Sequence, residues 1–277
     1  MSGGAAAAPV ARPAARVAVA QLEVGADRRS ARAAAVAAVD EAADRSADLV
    51  VLPEYASGFD RHGVGPHLAE PLDGPFVTAL CERAAARGIA VVAGTLLPSD
   101  DPARAVNAVV ALDAAGSLVG AYRKVHLYDA FGTRESDVLQ AGPVDAPPLT
   151  LPVAGLTVGV LTCYDLRFPE SARRVVDAGA DVLVVPAAWA AGPLKAMHWR
   201  ALAVARAIED TAAVVAVGMA GAGVTGRSLV VGADGVVVLE LDEAPALATV
   251  DLDPGRVAEV RAANPALANR RYRVVPA

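Results

Sequence analysis

Cysteine is scarce in this chain: only Cys81 and Cys163 occur among 277 residues. Two thiols cannot build a disulfide framework and are too few for a thiolate metal cluster, so each has to be explained singly. The histidines at 62, 67, 126 and 198 show no HExxH, HxH or Cys-paired spacing, and no dedicated metal site is expected. Aromatic residues make up only 4% of the chain, so its core must be built from Ala, Val and Leu. Dense Lys/Arg clusters are missing and the net charge is -6, which argues against a nucleic-acid or anionic-membrane surface. A small-molecule ligand is the default partner. No window offers an uninterrupted apolar run of about 18 residues, so no membrane-spanning helix is expected. Arg12, Pro13 and Arg16 break the N-terminal apolar run before it could serve as a signal-peptide core, which points to a cytoplasmic protein.

What the chain has in plenty is apolar residues, 55% of the total, enough for a large core. Its length suits an α/β enzyme built around one core. Residues 1–14 read as a disordered Ala/Pro/Gly-rich lead and 15–277 as a single domain. RVAVAQL (16–22) is a buried strand, 27–44 is a helix capped by Asp27, and DLVVLP (48–53) is a second strand. A helix at 75–87, a strand at 89–95 and a hairpin turning at Ala114-Ala115-Gly116 follow. The polar segment 123–147 is long and irregular, and such loops tend to carry function. The second half repeats this outline, with strands at 156–162, 181–186 and 212–218, helices at 169–179 and 193–211, a hairpin turning at Ala233-Asp234-Gly235, and a last strand at 247–253. Two sheets of mixed direction, packed face to face with helices outside, account for the pattern.

Cys163 stands where an apolar strand gives way to a helix, in GVLTCYDLRFPE. A side chain there projects beyond the sheet, the backbone N–H of Tyr164 can face an oxyanion, and the helix N-terminus favours negative charge. Cys81 instead belongs to an apolar helix stripe with Phe76, Leu80 and Ala84, as a structural cysteine would. Glu54 follows the strand DLVVLP, where partial burial suits a general base. Lys124 follows a hairpin strand and can supply a fixed positive charge. Taken one at a time, Glu54 and Lys124 read better as surface residues. Tyr55 and Trp189, beside strand ends on the same side, are open between pocket wall and core. His198 and Trp199 read as packing residues within a helix.

Three segments, LPEY (52–55), YRKVHLYD (122–129) and CYDLRFPE (163–170), together resemble the nitrilase superfamily of carbon-nitrogen hydrolases. That family carries a Glu, a Lys and a Cys in this chain order. The resemblance runs from about residue 15 over nearly the whole chain, and Tyr164 after the cysteine resembles the omega-amidase and deaminated glutathione amidase branch. It implies a four-layer αββα sandwich, usually assembled as a homodimer or larger homo-oligomer. It also implies that Glu54 acts as base and acid, Cys163 as nucleophile and Lys124 as oxyanion stabiliser, with no metal or organic cofactor. Glu135 in GTRESD matches a further glutamate that orients the lysine. Arg167 matches an arginine that binds the substrate carboxylate in related carbamoyl-amino-acid hydrolases, unless it pairs with Asp165 or Glu170 and only fixes its loop. The implied reaction is hydrolysis of the amide of a small carboxylic acid through a thioester. The alternatives are a nitrile or N-carbamoyl substrate, a Cys-His mechanism through His126, or a catalytically silent binding partner. GAGVTG (221–226) formally matches a dinucleotide fingerprint, but a hairpin follows it rather than the helix that such a site needs.

Overall fold

In the computed structural model, which describes residues 14–276, the chain forms two six-stranded sheets. The expected disordered lead at 1–14 lies outside the described residues except for Ala14. The first half runs β1 (Ala15–Gln21), α1 (Arg28–Asp44), β2 (Leu49–Val51), α2 (Pro75–Arg87), β3 (Ala90–Pro98), β4 (Ala105–Leu112) and β5 (Leu118–Arg123). The second half runs β6 (Thr150–Val153), β7 (Leu156–Val160), α3 (Pro169–Asp177), β8 (Val182–Ala187), α4 (Lys195–Asp210), β9 (Ala213–Gly218), β10 (Leu229–Val231) and β11 (Val237–Glu240). Strand β12 (Ala246–Leu252) and helix α5 (Pro254–Ala263) complete it.

Each sheet has three parallel strands at its centre and antiparallel strands at its edges. In the first, β1, β2 and β3 are parallel, with β4 and β5 added antiparallel. In the second, β7, β8 and β9 are parallel, with β6 on one side and β10 and β11 on the other. The last strand crosses back to the first sheet and pairs antiparallel with β1. Crossover helices put α1 and α2 on one outer face and α3 and α4 on the other, while the inner face of each sheet is covered by the other sheet.

Alternation along the strands builds three cores. Val17, Val19, Val51 and Val92 meet Val158, Val184 and Val215 between the sheets. Ala18, Ala20, Val50 and Leu52 turn outward onto α1 and α2, while Leu183, Val185 and Val214 turn onto α3 and α4. Layer by layer this is the four-layer αββα sandwich. Helix starts follow their sequence signals: the Asp27 carboxylate accepts from the backbone N–H groups of Arg29 and Ser30, and α2 opens with Pro75 and stops at Gly88, whose φ of 65° suits a glycine cap.

Candidate active site

The site forms where β2, β5, β7 and β8 end on one side of the sandwich. Glu54 leaves β2 and is 1% exposed. Its Oε1 accepts from Lys124 Nζ at 3.0 Å and Asn107 Nδ2 at 2.6 Å, and its Oε2 accepts from the backbone N–H of Ala188 at 2.7 Å. Ala188 belongs to the second sheet's side, so this one carboxylate spans both sheets. Gly94 of β3 permits its position, since a Cβ there would stand 2.5 Å from Glu54 Cα.

Lys124 is fully buried and donates to both Glu135 oxygens, at 3.1 and 2.9 Å, as well as to Glu54. Burial works to discharge the ammonium, but the charges of Glu135 and Glu54 outweigh it and hold the lysine well above its ordinary range. Glu135 lies in a short 3-10 turn (Glu135–Asp137) of the long polar loop and also accepts from Tyr55 Oη at 3.1 Å and Tyr128 N at 2.7 Å. Burial first, then the Glu135 charge, raises the Tyr55 phenol well above its usual range and keeps it a donor.

Cys163 opens a second 3-10 segment (Cys163–Arg167) directly after β7, with a φ of 46°. Left-handed backbone at a residue other than glycine is strained and is held by its surroundings. Here the holding groups are visible: Thr162 donates to Pro186 O at 2.8 Å, and buried Asp165 accepts from Thr162 N. Asp165 also accepts from Tyr122 Oη at 2.7 Å and meets His126 Nδ1 at 2.8 Å. Tyr122 and His126 flank Lys124, so Asp165 fixes the lysine segment against the cysteine turn. Burial pushes the Cys163 thiol well above its usual range and Glu54 adds to the rise, while Lys124 opposes it. The resting thiol therefore keeps its proton beside a carboxylate that can take it.

Glu54, Glu135 and Cys163 line a cavity of about 330 Å³ together with Tyr55, Tyr128, Tyr164, Arg167, Trp189 and Lys195, with Lys124 bound to both carboxylates. Trp189 serves both expected roles, since it lines the cavity and packs 5.2 Å from the core residue Trp199. The Arg167 guanidinium sits 4.7 Å over the Trp189 ring, and its Nε and Nη2 are buried without a hydrogen-bond partner among the described residues. Pairing with Asp165 is thereby replaced: that carboxylate is taken by Thr162, Tyr122 and His126. His126 stacks on Phe168 with centroids 3.7 Å apart and its Nδ1 meets Asp165 at 2.8 Å, so its ring is held by those two groups rather than by Cys163. Cys81, on α2, packs against the core under α1 and α2. Asn107 and Lys195 went unnoticed in the sequence. A lone amide inside the apolar strand NAVVALD was the available signal, because a buried polar group requires partners.

Fold and cluster together define an enzyme that attacks carbon-nitrogen bonds with a thiol. The chain belongs to the carbon-nitrogen hydrolase family, whose model matches residues 16–262. It is 42% identical to a deaminated glutathione amidase of Escherichia coli O157:H7 over 81% of this chain and 85% of that one. To a 2-oxoglutaramate amidase of Paenarthrobacter nicotinovorans it is 33% identical, over 81% and 79%. Among solved structures it resembles a mutant amidase of Nesterenkonia sp. AN1 that carries the acetamide moiety of fluoroacetamide on its active-site cysteine. That match has a TM-score of 0.78 and 26% identity and covers 96% of this chain and 97% of the other. These relatives lie in the amidase branch of the nitrilase superfamily and set aside the catalytically silent alternative.

Proposed function

We propose that the protein hydrolyses the amide of a small carboxylic acid, with the amide at one end of the substrate and a free carboxylate at the other. The observation that carries the reading is the position of Arg167, a half-buried side chain whose Nε and Nη2 are shielded and which has no acidic partner among the described residues, in the same small cavity as Cys163, Glu54 and Glu135. A guanidinium holds a carboxylate through two parallel hydrogen bonds, and burial strengthens that contact. The two relatives named above are, by their names, amidases of deaminated glutathione and of 2-oxoglutaramate.

In the reaction Glu54 takes the thiol proton as Cys163 Sγ bonds to the amide carbon. Lys124 and the Tyr164 N–H stabilise the negative oxygen of the tetrahedral adduct. Glu54 returns the proton to the leaving nitrogen, the C–N bond breaks, and ammonia departs from a thioester. A water then gives its proton to Glu54 and its hydroxide to the thioester carbon, releasing the acid and restoring the thiol. Glu135 and Tyr55 position Lys124, and Trp189 walls the substrate. Family likeness further supports a cytoplasmic enzyme of a single domain (15–277) that works as a homodimer or larger homo-oligomer. The exposed Val236 and Val238 on and beside edge strand β11 offer an apolar surface to a second copy.

The test compares succinamate with its methyl ester in wild type and in Arg167→Lys. Wild type should prefer the free acid, and the variant should lose most of that preference through kcat/KM. Equal turnover of acid and ester by wild type would remove Arg167 from substrate binding and favour a broader aliphatic amidase or a nitrilase.

A further inference from the structure

Arg167, half-buried with its Nε and Nη2 shielded, is one of two cations in the wall of the cavity. Lys195, the first residue of α4, is only 7% exposed and lines the same space. Its Nζ donates to Tyr128 Oη at 2.6 Å and lies 3.6 Å from the centroid of the Phe131 ring. Arg167 lies 5.8 Å from the centroid of that ring, so both cations stand against one aromatic side chain. The nearby acids are committed elsewhere. Glu54 and Glu135 both bind Lys124, and Asp60 accepts from His62 N at 2.9 Å. Among the described residues no carboxylate forms an ion pair with Lys195 or with Arg167.

A buried ammonium without a counter-ion is costly, and a cation in the first turn of a helix also opposes the helix dipole. An aromatic ring and one phenol oxygen compensate only part of that cost. One substrate carboxylate can be satisfied by the Arg167 fork alone. We propose that Lys195 forms a second anion subsite, and that the preferred amides carry a second carboxylate. This rests on the reading of Arg167 as the carboxylate-binding residue of a C–N hydrolase. The second carboxylate has two sources, the acyl tail or the amine that leaves.

Three amides separate these cases: succinamate with one carboxylate, the monoamide of tricarballylic acid with a second on the acyl tail, and N-(carboxymethyl)succinamate with a second on the leaving amine. Each is assayed, together with the methyl ester of succinamate, in wild type, Lys195→Met and Lys195→Arg. Ratios of kcat/KM within one variant do not depend on the fraction of folded enzyme. Wild type should favour at least one dicarboxylate amide over succinamate by about tenfold or more, the order of one charge-assisted hydrogen bond. Lys195→Met should abolish this ratio while keeping the preference of acid over ester, and Lys195→Arg should restore it. The favoured compound tells which end of the substrate carries the second charge. An unchanged ratio in Lys195→Met, with acid still preferred over ester, overturns the Lys195 subsite alone. Loss of the acid-over-ester preference in wild type overturns the Arg167 reading and the subsite with it.

Discussion

Lys124 holds its charge in a fully buried position only because two carboxylates surround it, and Glu54 in turn is an ordered base because Lys124, Asn107 and Ala188 N fix its oxygens. Removing the ammonium therefore takes away the oxyanion donor and leaves two buried carboxylates facing each other. Lys124→Met should lower kcat by at least about a hundredfold, the cost typical of losing one such donor. His126→Ala should lose the Phe168 stack and the Asp165 contact, and with them stability, but its kcat should stay within about tenfold of wild type. Both are measured on protein whose fold is verified by circular dichroism, and the reverse ranking would reinstate a Cys-His mechanism. Glu54 and Lys124 were legible only because LPEY, YRKVHLYD and CYDLRFPE together resemble one family, since a strand end alone left each reading as a surface residue, whereas Cys163 stood out at a strand-to-helix junction. Lys195 was not, since a lysine at a helix start looks like any solvated charge until burial is known.

At the scale of elements, apolar runs such as DLVVLP and DVLVVP announced strands covered on both faces, and the Asp27 cap and the expected helix at 75–87 matched the helix limits closely. Strand β6 and helix α5 were not read. β6 is a four-residue edge strand holding a proline, too short for a periodic signal, and α5 opens with Pro-Gly and buries only Val257. The return of β12 to pair with β1 joins residues more than two hundred positions apart, which no local pattern encodes. The close approach of β3 to the Glu54 turn was equally hidden. Gly94 lies against backbone atoms: an added Cβ would meet Glu54 Cα at 2.5 Å and both Pro53 O and Tyr55 N at 2.7 Å. Gly159 of β7 is as crowded, with Val175 Cγ1 at 2.2 Å from such a Cβ, but its neighbours belong to the core under α3. Gly94→Ala should therefore lower kcat by roughly tenfold to a hundredfold by displacing Glu54, whereas Gly159→Ala should mainly lower the unfolding midpoint. Measuring kcat and urea midpoints for both decides it. Equal kcat losses would show that strain in the sandwich spreads without respect to position.

For the molecule as a whole, stability at neutral pH carries one identifiable burden. Asp210, the last residue of α4, is 1% exposed, and neither carboxylate oxygen has a well-formed hydrogen bond among the described residues. Arg173 of α3 approaches it at 3.0 Å. Burial outweighs that charge and raises the carboxyl from 3.8 to about 6. The sign follows from linkage: a group whose acid form is favoured by folding contributes stability fully below its unfolded value. That contribution is lost as pH rises through about 6. Ionised Asp210 thus weakens the outer layer where α3 and α4 meet, by up to roughly 3 kcal/mol at about 1.4 kcal/mol per tenfold change in acidity constant. Asp210→Asn keeps the shape and removes the titration. Relative to wild type, the unfolding free energy of the variant should rise by roughly 1 to 3 kcal/mol between pH 4 and pH 7.5, measured by urea denaturation across that range. The Arg173 charge is already part of the carboxyl's value of about 6, so losing that contact offsets the variant equally at every pH and leaves the rise unchanged. A difference that stays constant with pH would mean that Asp210 ionises in the folded protein as it does in the unfolded chain, and that the Arg173 charge balances its burial.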